Sequence, residues 1–434
     1  MTNPHNDSPV PFGYQCQWLA VRSDATRAVA DAVFLRNEKN CTWSDGIAAA
    51  YGSKLFVSPP VDGWTFVVGN CLPDCGRPDG PDWVPDRCTP WLVHLSRQFG
   101  EVQYFGSQRV VEYHAWAKAC GGRIIRAYSY LGEQGCTIWN RGDLTAEEAT
   151  LGFTPPPENL SEEEAVFAEV VPDEEAVMQI AGIWSINPQT LESYGSTSGL
   201  GSVGDLGPTF YKVDGRKITY AEYWNMAPGG PAIFAWLMKT LRIPFSTRSY
   251  ATDPEALFAF DGDYVPDYAR RLTAPYVQFA ESLAPGVRIV ETVPTIDAVE
   301  GYAFHYLNRE GTIAILIPYT RCQYTYPPME KSFIVFATPL EGEELLVTSN
   351  GRSGFAPRPG VQAETLRTSA EETYERHRAR IEQNRNRIQS IAATDAEYRK
   401  FLQRLTRADF NHKQQRGLYI EMTQDEVNRI RGMT

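Results

Sequence analysis

The stretch VVEYHAWAK (110–118) sets Glu112, His114 and Trp116 two residues apart. On a strand that spacing puts all three on one face. A carboxylate beside an imidazole raises the imidazole pKa and suits acid–base work. The same face also suits binding, and Asp62 and Trp64 in VDGW join it as candidate binding residues. A second group, Cys71, Cys75, Cys88 and His94, offers four potential zinc ligands. Its C-x3-C-x12-C-x5-H spacing departs from ordinary fingers and lacks paired C-x-x-C, so loop cysteines without metal are the expectation.

Other stretches imitate known sites incompletely. GLGSVG (199–204) matches G-x-G-x-x-G. A dinucleotide loop needs a strand before it and a helix after it. Here LESYGSTS precedes, and Gly207 and Pro208 follow. Glu222 sits where a ribose ligand would fall, but the rest of the unit is missing. The run therefore reads as a Gly/Ser-rich linker, and no cofactor is expected. Asp261, Asp263 and Asp267 begin like a calcium loop but lack its later Glu. Asp267 fits better in the first turn of a helix. Arg376, Arg380 and Arg387 could grip phosphates. Glu375 and Glu382 interleave with them, which favours a solvated face or a face docked on acidic surface. H-E-x-x-H, G-x-S-x-G and G-x-x-x-x-G-K-[ST] are absent from the sequence.

The elements that must position these residues follow from periodicity. YQCQWLAV (14–21) reads as a strand and residues 23–35 as a helix capped by Ser23 or Asp24. SDGIAAAY is a short helix, and KLFVSPP and GWTFVVG are strands joined by a turn. A helix ending at Gly100 precedes four strands, EVQYF, RVVEYHAWA, RIIRAYSYL and CTIWN, in a meander. Thr145 with Glu148 makes a capping box. PDEEAVMQIAGIWS is a further helix.

Downstream, PAIFAWLMKTLRI and residues 266–286 read as helices. VRIVETV, YAFHYLNREGTIAILIPYT and KSFIVFATPLEGEELLVTSNG supply strands and hairpins. Capping pairs Ser369/Glu372, Thr394/Glu397 and Thr423/Glu426 open three helices. Tyr374, Ile381 and Ile388, with His377, Asn384 and Ile391, form a heptad-like seam.

The expected fold class is α+β: two antiparallel-sheet α+β domains joined by a Gly/Ser-rich linker, with a C-terminal helical hairpin. The boundaries are 1–192 for the first domain, 193–208 for the linker, 209–362 for the second domain and 363–434 for the helical tail. The phrases FVSPPVDGWTFVVG, LSRQFGEVQYF and EYHAWAKACGGRIIRAYSYLGEQG resemble an uncharacterised bacterial protein family, over roughly residues 14–192. The resemblance implies a bacterial origin and an accessory or immunity-type role, and brings no catalytic motif with it.

Composition narrows the function. The 434 residues are 43% hydrophobic and 22% charged, which fits a globular chain of two or three domains. The N-terminus lacks the basic and apolar regions of a secretory signal, and Lys239 and Arg242 interrupt the longest apolar stretch. A cytoplasmic location, away from membranes, is expected. Net charge is −12, while residues 371–434 hold 13 basic against 10 acidic residues. An acidic body repels nucleic acid and attracts basic proteins. The leading expectation is a non-enzymatic cytosolic binding protein with a basic protein partner. The alternatives are an enzyme using the Glu112/His114 face, or a scaffold assembling through its helical tail.

Overall fold

A computed structural model of the chain describes residues 6–73, 86, 88–153, 172–207, 209–226, 233, 237–241, 250–252, 265–293, 299–322, 329–351 and 354–430. The chain divides into two compact units, with the boundary after residue 208. Both are α+β with mostly antiparallel sheets.

The first unit opens with β1 (Asn6–Asp7), β2 (Cys16–Arg22), α1 (Thr26–Ala32), β3 (Arg36–Cys41), α2 (Trp43–Ala50), β4 (Leu55–Val57) and β5 (Trp64–Val68). It continues with α3 (Cys88–Phe99), β6 (Glu101–Gln108), β7 (Tyr113–Cys120), β8 (Arg123–Leu131) and β9 (Cys136–Arg141). It closes with α4 (Ala146–Thr150), α5 (Glu174–Trp184), β10 (Thr197–Ser198) and β11 (Gly201–Asp205). Nine strands form one sheet in the order β3-β11-β4-β5-β2-β6-β7-β8-β9.

The period of two sorts this sheet into two cores. Trp18 and Ala20 of β2, Phe105 of β6 and Trp116 of β7 face α2 and α5. Leu19, Val21, Tyr104 and Ala117 face α1 and α3. Helices α2 and α4 begin at caps that the sequence supplies. Thr42 accepts from the Asp45 N–H to cap α2, and Thr145 and Glu148 complete the capping box of α4. Ser23 and Asp24 do not cap α1; its N-cap position is Ala25, which makes no side-chain cap.

The expected linker differs. Residues 193–208 are not a free join: β10 pairs with β1, and β11 lies between β3 and β4 inside the nine-stranded sheet. Gly201 packs under Phe56, where a side chain would clash with the ring. Glycine was needed there for close approach rather than for flexibility.

The second unit contains β12 (Phe210–Val213), α6 (Tyr220–Met226), β13 (Tyr250–Thr252), α7 (Asp267–Ser282), β14 (Val287–Val293), β15 (Val299–Leu307) and β16 (Ala314–Cys322). It adds β17 (Met329–Ser332), β18 (Val335–Leu340), β19 (Glu344–Ser349) and β20 (Val361–Thr365). The chain ends in α8 (Ala370–Gln383), α9 (Asp395–Gln415), β21 (Tyr419–Glu421) and α10 (Gln424–Ile430). The main sheet runs β14-β15-β16-β18-β19-β20, with β17 on β16 and only the β19–β20 pair parallel.

Residues 363–434 are built into this unit rather than forming a separate tail. Ala370, Tyr374 and Ile381 of α8 join α7 over one face of the sheet, against Phe304, Ile315 and Phe336. Tyr398, Phe401 and Leu402 of α9 cover the other face, against Ile289, Leu307 and Leu345. The sheet lies between the two helices, so they do not form a hairpin packed on itself. The heptad-like seam stops with α8 at Gln383, and Ile388 instead bridges to Leu340. Strand β21 pairs with β12. Among the described residues, no helix is long and apolar enough to cross a membrane.

Candidate functional site

Strand β7 begins at Tyr113, so Glu112 stands just outside it. Its backbone is left-handed, with φ of 52°. The exposed Glu112 side chain folds against the β8–β9 turn, close over Gly132. His114 points to the core face of β7, directly opposite Ser107 of β6 and Tyr130 of β8. Among the described residues no hydrogen bond joins Glu112 to His114, so the expected strand-face dyad is not assembled. His114 is only 5% exposed, and its Nδ1 has no hydrogen-bond partner. Burial lowers its pKa, against the opposing pull of Glu174, Asp173 and Glu112.

Both candidate tryptophans belong to the core. Trp116 is 1% exposed and donates from Nε1 to Glu148 Oε1 at 2.8 Å. Trp64 is 4% exposed and lies under the Arg22 guanidinium. Asp62 is exposed in the left-handed turn that joins Val61 to Trp64. These residues do not make one aromatic binding surface. The period of two was right for Trp116 and His114, but the sheet carries helices on both faces and therefore buries both.

A different group surrounds His114. Glu174, at the first turn of α5, accepts from the Ser107 hydroxyl at 2.8 Å and pairs with Arg109 at 3.0 Å. The Gln15 N–H also reaches it. Asp173 caps the helix by accepting from the Ala176 N–H. Glu175 is exposed beside Tyr14. Burial and then the charges of Glu175 and Glu174 raise the Tyr14 pKa. Tyr51, 40% exposed, donates its hydroxyl to the Tyr14 carbonyl at 2.9 Å. The result is an acidic rim with tyrosines at its edge and a buried imidazole below. The sequence announced Asp173–Glu175 only as a helix start, because their neighbours Ser107, Arg109 and Tyr14 are remote in the chain.

The cysteine group does not come together among the described residues. Cys71 and Cys88 sit in the apolar core with Leu72, Leu92 and Leu95. His94 Nε2 lies 3.2 Å from the Ala32 carbonyl and its ring stacks on Phe34. Cys75 lies outside the described residues, as do Asp261 and Asp263. Among the described residues no cluster of three or more His, Cys, Asp or Glu could hold a metal ion. Asp267 opens α7 as its first-turn acid. Glu222, far from any ribose role, is held by Arg416 at 2.8 Å. Arg376 and Arg380 pair with Glu364, and Arg387 with Glu344, so this basic face docks on acids of its own unit.

A second polar pair escaped the sequence reading. Glu291 Oε2 and His305 Nε2 lie 2.8 Å apart on the α9 face of the second sheet, both buried. Glu291 Oε1 and His305 Nδ1 have no partners. The only signal was one polar residue among the otherwise apolar or small alternate positions of each strand, Glu291 after Val287 and Ile289, and His305 before Leu307.

No family model, curated protein or solved structure matches this chain. The geometry and the distribution of charge therefore carry the functional reading. That distribution is lopsided. Residues 1–208 hold 26 Asp and Glu against 13 Lys and Arg, whereas residues 209–434 hold 27 against 28.

Proposed function

We propose that this chain is a non-enzymatic binding protein of the bacterial cytosol that occludes a basic protein, in an immunity-type or accessory role. One observation carries the reading: the net negative charge resides wholly in the first unit. There the Glu112, Asp173, Glu174 and Glu175 carboxylates lie around His114 and Tyr14. Such a field speeds the approach of a cationic partner and rejects nucleic acid. Tyr14 and Tyr51 supply amphipathic contact area once the partner has docked.

The test is affinity purification of the tagged chain from a bacterial host at low and high salt, beside the variant Glu112→Lys/Glu175→Lys. A stoichiometric basic protein that is released by salt and not retained by the variant supports the reading. A partner retained equally by the variant, or one that is acidic, overturns it.

A further inference from the structure

We infer that the second unit carries a surface that docks on an anionic lipid bilayer, built on the exposed apolar side chains between residues 220 and 241. The inference goes beyond the binding reading above, which concerns the first unit. Tyr220, Trp224, Ile233, Leu237 and Leu241 are all exposed, from 40% at Trp224 to 58% at Leu241. Large apolar side chains exposed singly need no explanation, but a group of them in one short stretch marks an interaction surface. Tyr220 and Trp224 stand one turn apart on α6, with ring centres 6.1 Å apart. Ile233, Leu237 and Leu241 follow at intervals of four. Residue 233 and residues 237–240 are helical, and the Leu241 N–H bonds to the Leu237 carbonyl. That spacing lines side chains along one side of a helix. Lys239 gives its ammonium to the Ile218 carbonyl, which ties this segment to the chain just before α6.

Charge says what covers the surface. Residues 209–252 hold six Lys and Arg against two Asp and Glu, in a chain of net charge −12. Both acids are taken. Asp214 pairs with Arg216 at 2.9 Å, and Glu222 is buried against Arg416 at 2.8 Å. Lys217 is exposed and in no salt bridge among the described residues, and Lys239 bonds a carbonyl rather than a carboxylate. Uncompensated lysines beside exposed Trp, Tyr, Leu and Ile suit a membrane interface. There, apolar side chains enter the acyl boundary, aromatic rings rest at headgroup depth and lysines meet anionic headgroups. Charge is felt over roughly 8 Å at physiological salt, so the sign of the docking face decides rather than that of the whole chain. A second copy would bring the same positive charge to the same face, and like charges resist that pairing. Surface attachment needs no span, and the charge of Lys239 is no obstacle to a helix that lies on the surface. At this one face, the inference sets aside the expectation of a chain away from membranes.

The experiment floats the full chain with vesicles of phosphatidylcholine alone and of phosphatidylcholine mixed with phosphatidylglycerol, at low and high salt. The parent should bind the mixed vesicles, be largely released from them by salt, and bind phosphatidylcholine alone weakly. This comparison tests the inference without any variant. Leu237→Gln/Leu241→Gln should weaken binding to the mixed vesicles at least about tenfold, because both leucines lose their burial in the acyl boundary. Lys217→Ala should weaken it about fivefold. Met329→Gln replaces another exposed apolar residue of the second unit and should leave binding unchanged. All of these side chains are exposed, so melting temperatures should equal the parent's. No binding to the mixed vesicles, equal binding to both kinds, or binding untouched by the leucine pair overturns the inference. So does sedimentation of the parent as a dimer that the leucine pair converts to a monomer, which would assign the surface to a second copy of the chain.

Discussion

Arg126 Nε reaches both carboxylate oxygens of Glu148, at 2.9 and 2.8 Å, with both side chains buried. The pair ties the β8 strand to the start of α4, because Glu148 also accepts from the Thr145 N–H and the Trp116 indole. Breaking it leaves an uncompensated buried charge. Glu148→Ala should therefore destabilise the first unit by about 3–5 kcal/mol. Urea unfolding followed by tryptophan fluorescence measures this, and a loss below about 1 kcal/mol would contradict the assignment.

Glu222 gives the second unit an acid-sensitive joint. Burial alone would raise its pKa, but Arg416 and the N–H groups of Thr219 and Ala356 outweigh burial and bring it down to about 2. A depressed carboxylate stabilises the fold above its ordinary pKa, and that contribution is lost as pH falls through the folded value. The second unit should lose stability between about pH 4.5 and 2. In Glu222→Gln, melting temperature should start lower at neutral pH and fall less steeply across that window. A slope equal to the parent's would count against the joint.

His377 acts in a neighbouring window. It sits between Thr338 and Thr348, bonded to both hydroxyls, and burial followed by the charge of Arg380 lowers its pKa to about 3. The unfolded chain takes up this proton near its ordinary pKa of 6.5, and the folded one does not until about 3. Stability therefore falls as pH drops through that interval, with no change above it. In NMR, the His377 ring signals should stay constant from about pH 8 to pH 5. A titration midpoint near 6.5 would show that the ring is not held in this buried site.

The Glu291–His305 pair separates single from double substitutions. His305→Phe leaves the buried Glu291 carboxyl group without its hydrogen-bond partner, and should cost about 1–3 kcal/mol. Adding Glu291→Leu removes the orphan and should recover most of that loss. A double-mutant cycle from denaturant unfolding measures the coupling. Additive losses would mean that the two groups do not share one buried site.

Much of the architecture was legible because local signals and tertiary packing agree. The Thr145/Glu148 box, the acids opening α5 and the meander β6–β9 all stand where capping and alternation put them. The α+β class follows from those elements. The acidic rim was not legible, because Gln15, Ser107, Arg109 and Glu174 meet only through the sheet and α5. Nor could alternation alone tell that helices would cover both faces and bury Trp64 and Trp116. The heptad-like seam on α8 misled for a related reason: its apolar residues face a sheet, and the same period serves a sheet as well as a helix.

The largest difference lies at the glycines of GLGSVGDLG. A Gly/Ser-rich run has low strand propensity and reads as a join. In the fold, Gly201 opens β11 opposite Cys41 of β3, and Gly204 lies within it opposite Leu55 of β4. A Cβ on Gly201 would lie 2.3 Å from the Phe56 ring, and one on Gly204 would lie 2.4 Å from the Arg36 carbonyl oxygen. The Arg36 contact is backbone, which cannot rotate away as a side chain can. Gly204→Ala must therefore separate β11 from β3, and Gly201→Ala must displace a fully buried aromatic. Both should destabilise the first unit by about 1–3 kcal/mol. A flexible join would accept either substitution without loss. Thermal unfolding of the two variants decides between these outcomes, and melting curves that overlay the parent's would return this segment to the role of a linker.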